Sequence, residues 1–318
     1  MDHHATRVRR ETRTFRDDVL KGLRRPLKSI PSKYLYDARG SRLFEEICRL
    51  DEYYLTRTEL EILRVHLTEM AHIVGPGARV IEPGAGSGIK TELLLDRLID
   101  PVAVVPIELS EQALSAAVER LTRRFPWLEI LPVAADFTEP IDVPEGSRPA
   151  RRNLVFFPGS TIGNFLPEEA IRLLRAMGSS AGPGGAILVG VDFKKDVRIL
   201  ERAYDDASGV TAEFNLNLLR RINRELRADF RPDRFRHVAP YDPAHGRIEM
   251  RLVSTSGQRV RIGDDDFEFL PDEPILTELC HKYEPEEFEA LCRSAGLEVI
   301  RGWSDGAGWY GLFLCVPR

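Results

Sequence analysis

The 318 residues are 43% hydrophobic and 30% charged, enough apolar material to fill one large α/β domain or two modest ones. A formal net charge of -5 supplies no global positive field, which excludes a general polyanion partner such as nucleic acid or an anionic membrane. The longest apolar runs, Val102 to Ile107 and Ala186 to Val191, are far short of a bilayer span, so a soluble chain with no membrane partner is expected.

The first ten residues, Met1-Asp2-His3-His4 followed by Arg7, Arg9 and Arg10, lack the apolar centre of a secretion signal. Cys48, Cys280, Cys292 and Cys315 form no close pair of metal-ligand spacing, so reduced thiols, a cytoplasmic location and no bound metal are expected. Phe15, Val19, Leu20 and Leu23 thread a helix whose basic neighbours read as a solvated face. Pro26 and Pro31 bracket a connector, and a tyrosine-bearing loop from Ser32 then runs into a helix ending near Ile47. A second loop, Asp51 to Glu59, leads into a predicted helix Leu60 to Ile73, with Thr56 to Glu59 at capping-box spacing. Taken alone, the tyrosines of these loops suit either packing or binding, because Tyr buries its ring and wets its hydroxyl.

The run Arg79-Val80-Ile81-Glu82-Pro83-Gly84-Ala85-Gly86-Ser87-Gly88 reads as strand, tight loop and helix start. Alternating glycines let the backbone bend and let a ligand approach where a Cβ would collide. A nicotinamide fingerprint wants a third glycine at position 89, where this chain has Ile89; the acid ahead of the loop favours S-adenosylmethionine, whose amino acid end a carboxylate attracts. Glu108, 20 residues past Gly88, suits a ribose diol of either cofactor. Further strands are predicted at Val102 to Ile107, Leu128 to Val133, Leu154 to Phe157 and Ala186 to Val191, giving a parallel sheet with helices on both faces. Ligands of such sheets sit beyond the carboxyl ends of strands, which singles out Glu82, Glu108, Asp136 with Phe137, and the loop Pro158 to Phe165. Asp136 can accept from an adenine amine beside the Phe137 ring, or cap a helix. Asn164 can bind or simply make a turn.

Beyond the fifth strand, Val197 to Arg231 reads as helical, with Phe214, Leu216, Leu218, Leu219, Ile222 and Leu226 as its core face. Strands at Arg247 to Val253 and Asp266 to Leu270 then indicate a second, inserted domain. The helix Pro285 to Ala295 and strands Leu297 to Trp303 and Trp309 to Val316 return to the first sheet as an antiparallel edge hairpin. Trp303 and Trp309 read as packing residues, and His281, three residues beyond Glu278 in an extended stretch, is expected to face away from it.

Seven separated motifs agree on one family. They are KYLYDARGSRLF (33–44), EYYLTRTE (52–59), EPGAGSGIKT (82–91), GSTIGN (159–164), AYDDASGVTAEFNLNLLRRINREL (203–226), RIEMRL (247–252) and TELCHKY (277–283). Through them the chain resembles the histidine-specific, S-adenosylmethionine-dependent Nα-methyltransferases of ergothioneine biosynthesis. The resemblance implies a class I Rossmann-like methyltransferase core, residues 61–195 and 284–318, with a substrate domain from residues 1–60 and 196–283. It implies cofactor contacts from Gly84, Lys90, Glu108, Asp136 and Phe137. Tyr53, Asn164 and Tyr204 would grip the backbone end of the amino acid, with Tyr36 positioning the amine. Glu278, Leu279 and Cys280 would line the imidazole pocket, with Met250 nearby; Cys280 stands where the family commonly carries Ser. The implied reaction is three successive methylations of L-histidine to hercynine; a monomer is expected. The rivals are a relative acting on another amino acid such as tryptophan, and a non-catalytic cofactor-binding protein.

Overall fold

The apolar runs spaced between helices pair into one eight-stranded sheet in the computed structural model, which describes residues 14–86 and 88–318. Numbered along the whole chain, its strands are β1 (Ala78–Pro83), β2 (Ala103–Glu108), β3 (Glu129–Ile130), β4 (Val133–Ala134), β5 (Arg152–Phe157), β6 (Ala186–Asp192), β13 (Leu297–Ser304) and β14 (Tyr310–Pro317). Their spatial order is β13-β14-β6-β5-β1-β2-β3, with β4 also on β2. Strands β1 to β6 pair in parallel, whereas β14 runs antiparallel to both β6 and β13. The α/β class and the closing hairpin expected from the sequence are therefore present, and it is the hairpin's second strand that meets the core. Helices α3 (Tyr54–Val74), α4 (Ile89–Leu95), α5 (Glu111–Arg124), α6 (Pro167–Ala181) and α9 (Pro285–Ser294) belong to the same unit, Tyr54–Lys195 plus His281–Arg318. Strand order reverses between β1 and β5, so the glycine loop and the turn after β5 leave the sheet at the position where such folds bind ligands.

The second unit comprises the described residues up to Tyr53 together with Asp196–Cys280. Its helices are α1 (residues 14–23), α2 (Ala38–Ile47), α7 (Val197–Tyr204) and α8 (Val210–Leu226). Strands β12 (Pro274–His281), β9 (Arg247–Ser254) and β7 (Phe235–Val238) lie side by side, β8 (Tyr241–Asp242) pairs with β9, and β10 (Gln258–Ile262) with β11 (Asp265–Phe269) makes a separate hairpin. The basic cluster Arg7 to Arg10 and Ser87 of the glycine loop lie outside the described residues. Among the described residues no helix is long and apolar enough to cross a membrane.

Three local expectations are corrected. The strand predicted at Leu128 to Val133 is split into β3 and β4, because Pro132 has no N–H to give the ladder. The single helix predicted from Val197 is broken after Tyr204, where the Asp206 carboxylate accepts from Val210 N at 3.0 Å and Thr211 N at 2.8 Å and starts α8 afresh. Helix α3 begins at Tyr54 rather than near Leu60, so Thr56 and Glu59 make no capping box and Glu59 turns inward.

Candidate active site

In the eight-stranded unit, Gly84, Gly86 and Gly88 all hold positive φ, at 72°, 47° and 66°, the left-handed region that costs other residues strain. A Cβ on Gly84 would lie 3.3 Å from the Phe137 ring, so that ring walls the loop. Phe137 is itself fixed edge-on by Phe157 and Phe165, with centroids at 5.7 and 6.3 Å. Next to it, Asp136 accepts from the Thr138 hydroxyl at 2.6 Å and amide at 3.0 Å. At the end of β2, the Glu108 carboxylate accepts from Leu109 N at 2.9 Å and, at a long 3.5 Å, from Gly86 N across the loop. Lys90, at the start of α4, forms an ion pair with Glu59, and Glu59 accepts the Gly159 amide at 3.0 Å. One buried acid thus ties the helix after the glycine loop to the turn that carries Asn164.

In the four-stranded unit the predicted residues form a run of aromatic contacts. Tyr36 meets Phe44 and Phe214 edge-on at 5.4 Å each, Phe44 meets Tyr53 at 6.2 Å, and Tyr53 meets Tyr204 at 6.0 Å. The connector to α2 is held by Asp37, which caps the helix through Gly40 N at 2.7 Å and is gripped from α8 by Asn217 at 2.7 Å and Arg224 at 2.6 Å. Burial raises the Tyr53 phenol well above its ordinary value, and Cys48, Tyr36, Cys280 and Glu278 push it the same way. Tyr53 is therefore a neutral donor at physiological pH. On β12, the two-residue period puts Glu278 and Cys280 on one face, with the thiol 3.7 Å from the carboxylate, and sends Leu279 to the other, so Leu279 offers that face its backbone alone. Met250 is buried on the adjacent β9, and its carbonyl accepts from Thr277.

One unit holds a glycine-loop ligand seat, and the other holds a cluster of phenols beside an acid. A family model described as "Histidine-specific methyltransferase, SAM-dependent" matches residues 15–317. The chain belongs to that family. The Mycobacterium tuberculosis protein named histidine N-alpha-methyltransferase is 43% identical over 308 residues, covering 95% of this chain and 94% of that one. Ergothioneine biosynthesis protein 1 of Neurospora crassa is 31% identical over 306 residues, covering 90% of this chain but 33% of the much longer fungal protein. A possible exported protein from Bordetella parapertussis shares the fold at a TM-score of 0.51, with 12% identity over 87% of this chain and 79% of its own.

The residues of this methyltransferase fit the cofactor of its family. Glycines hold open a cradle that a Cβ would fill, and Glu82 beside it is 2% exposed, with Thr91 bonded to one carboxyl oxygen and no partner for Oε2 among the described residues. An orphaned buried acceptor of this kind suits a cationic amine. Burial pushes the Glu82 carboxyl up to about 8, against smaller opposing pulls from Thr91, Lys90 and Arg120. Because the folded state holds this proton more tightly than the unfolded chain, the Glu82 contribution to stability is complete below the ordinary value of 4.5 and is lost as pH rises to about 8. Thermal melts of the ligand-free protein and Glu82→Gln across that window should diverge, the wild type losing more on the alkaline side. Parallel curves would contradict the assignment.

Sequence reasoning missed buried polar groups in both units, Glu59 and Asn215 among them. Glu59 was masked by its capping-box spacing, yet it stands three and four residues before the buried Ile62 and Leu63, an acid within an apolar stripe. Asn215 likewise interrupts the stripe of Phe214, Leu218 and Leu219. His281, as expected, is turned from Glu278 and lies 3.0 Å from the Gly163 carbonyl. Trp303 donates to Glu69 at 2.8 Å and Trp309 packs on Tyr54, the packing roles expected of them.

Proposed function

We propose that this enzyme methylates the α-amine of L-histidine three times in succession, giving hercynine, the opening step of ergothioneine biosynthesis. The observation that carries the reading is the family match over nearly the whole chain, reinforced by the name of the 43% identical relative. Gly84, Lys90, Glu108, Asp136 and Phe137 hold the cofactor in the eight-stranded unit. Tyr53, Tyr204 and Asn164 hold the substrate carboxylate with neutral donors, Tyr36 positions the amine, and Glu278 accepts the imidazole N–H, with Cys280, Met250 and the Leu279 backbone beside it. S-adenosylmethionine supplies an electrophilic sulfonium methyl, and the protein's contribution is orientation, worth up to roughly 7 to 11 kcal/mol in favourable cases. An α-amine is substantially protonated near neutral pH, so a proton leaves before each transfer. Tyr36 orients the amine while that proton passes to solvent. The enzyme acts as a monomer in the cytoplasm, where its four cysteines, none in a disulfide, stay reduced.

Cys280 favours one second reading, since a thiol is a weaker hydrogen-bond partner than the hydroxyl the family commonly carries: a related amino acid such as tryptophan as substrate. Incubation with each amino acid and methyl-labelled cofactor, read by mass spectrometry, separates the two. Histidine gaining one, two and three methyl groups is the expected result. Label on tryptophan and none on histidine would overturn the proposal.

A further inference from the structure

His237 on β7 is buried behind Tyr204, and its two ring nitrogens face different partners. Nε2 lies 2.8 Å from the Tyr204 carbonyl, and Nδ1 lies 2.9 Å from Nδ2 of Asn215 on α8. That same Nδ2 is 3.3 Å from the Arg251 carbonyl on β9. A carbonyl only accepts, so Arg251 fixes the Asn215 amide with its donors forward. Nδ1 of His237 must then accept, and the single ring proton of the neutral imidazole sits on Nε2, aimed at Tyr204. Asn215 Oδ1 is left buried without a partner among the described residues, so the arrangement does not satisfy the amide fully for its own sake.

Tyr204 is the last residue of α7, where the helix leaves its carbonyls without intrahelical donors. The imidazole donates to the Tyr204 carbonyl while Tyr53 packs edge-on against the Tyr204 ring. We infer that His237 is a positioning residue for substrate binding: its Nε2–H anchors the end of α7 and so aims the Tyr204 side chain at the amino acid carboxylate. The inference rests on the proposed role of Tyr204. Burial lowers the imidazole below its ordinary value and keeps it neutral, outweighing the Tyr204 carbonyl, Asp205, whose carboxylate is 4.0 Å from Nε2, and Asp206, all of which favour a charged ring.

The test uses the full chain and three variants. In His237→Gln the amide reaches the Nε2 position and keeps the donor; in His237→Asn it sits at the Nδ1 position and the donor is lost. His237→Asn should raise KM for L-histidine by about tenfold or more, and His237→Gln by no more than about threefold, with kcat and the Kd for S-adenosylhomocysteine unchanged in both. Equal KM in the two variants would overturn the inference. Tyr204→Phe separates this failure from failure of the site itself: wild-type KM there removes Tyr204 from the substrate, whatever His237 does. Nitrogen-15 NMR of the wild-type histidines gives a second reading that needs no variant to fold. It should show His237 as the neutral Nε2–H tautomer near pH 7, and an Nδ1–H tautomer or an imidazolium would contradict the assignment.

Discussion

Replacing Glu278 by alanine is expected to raise the KM for L-histidine by roughly 10- to 150-fold, the equivalent of one charge-assisted hydrogen bond of about 1.5–3 kcal/mol. Glu278 is buried on β12, shares a face with Cys280 and contributes to the field that keeps the Tyr53 phenol protonated. Neither feature belongs to the glycine-loop unit, so binding of S-adenosylhomocysteine should be unaffected. The informative quantity is the split between the two ligands. Steady-state kinetics paired with cofactor calorimetry measures it, and an unchanged histidine KM would remove Glu278 from the imidazole site. Glu278→Gln keeps an acceptor without the charge and should fall between wild type and alanine.

Asp192→Ala should cost the most stability. The carboxylate at the end of β6 is 0% exposed and accepts the Tyr54 hydroxyl at 2.8 Å, Lys195 at 2.6 Å and Lys282 at 2.7 Å, and its own amide donates to Ser160 Oγ at 2.9 Å. Without it two buried ammonium groups lose their counter-charge, a loss of about 3–5 kcal/mol for a pair broken from one side. The melting temperature should fall by roughly 5–15 °C. Burial already pulls Lys195 down to about 8, so the cluster tolerates little further loss of negative charge. A melt within about 1 °C of wild type would show that the lysines find other compensation.

The parts of this protein that announce themselves in sequence are those whose physics is local. Three glycines at alternate positions after an apolar run need no tertiary information to be read as a loop, and strands buried on both faces, such as β6, read as continuous apolar runs. The four-stranded unit is harder. Only β9 and β11 were read as strands there, because β7, at four residues, is too short to show a period and β10 is a five-residue run with two arginines between the turn glycines Gly257 and Gly263. Pro132 and the Asp206 cap each broke an element that periodicity alone would have continued. Glu59, Asp192 and Asn215 escaped notice because a buried polar residue is explained by its partner, and Gly159, Lys282 and His237 are far from them in sequence. The aromatic cluster was reached through resemblance. Its residues are spread from Tyr36 to Phe214, and no spacing rule connects them.

Titration of L-histidine into the protein saturated with S-adenosylhomocysteine tests the central claim most directly. One histidine should bind per chain, saturably and below about 1 mM, with tryptophan giving no comparable heat and Glu278→Ala losing the signal. Absence of histidine binding in the presence of that cofactor product, with tryptophan or another amino acid binding in its place, would contradict it.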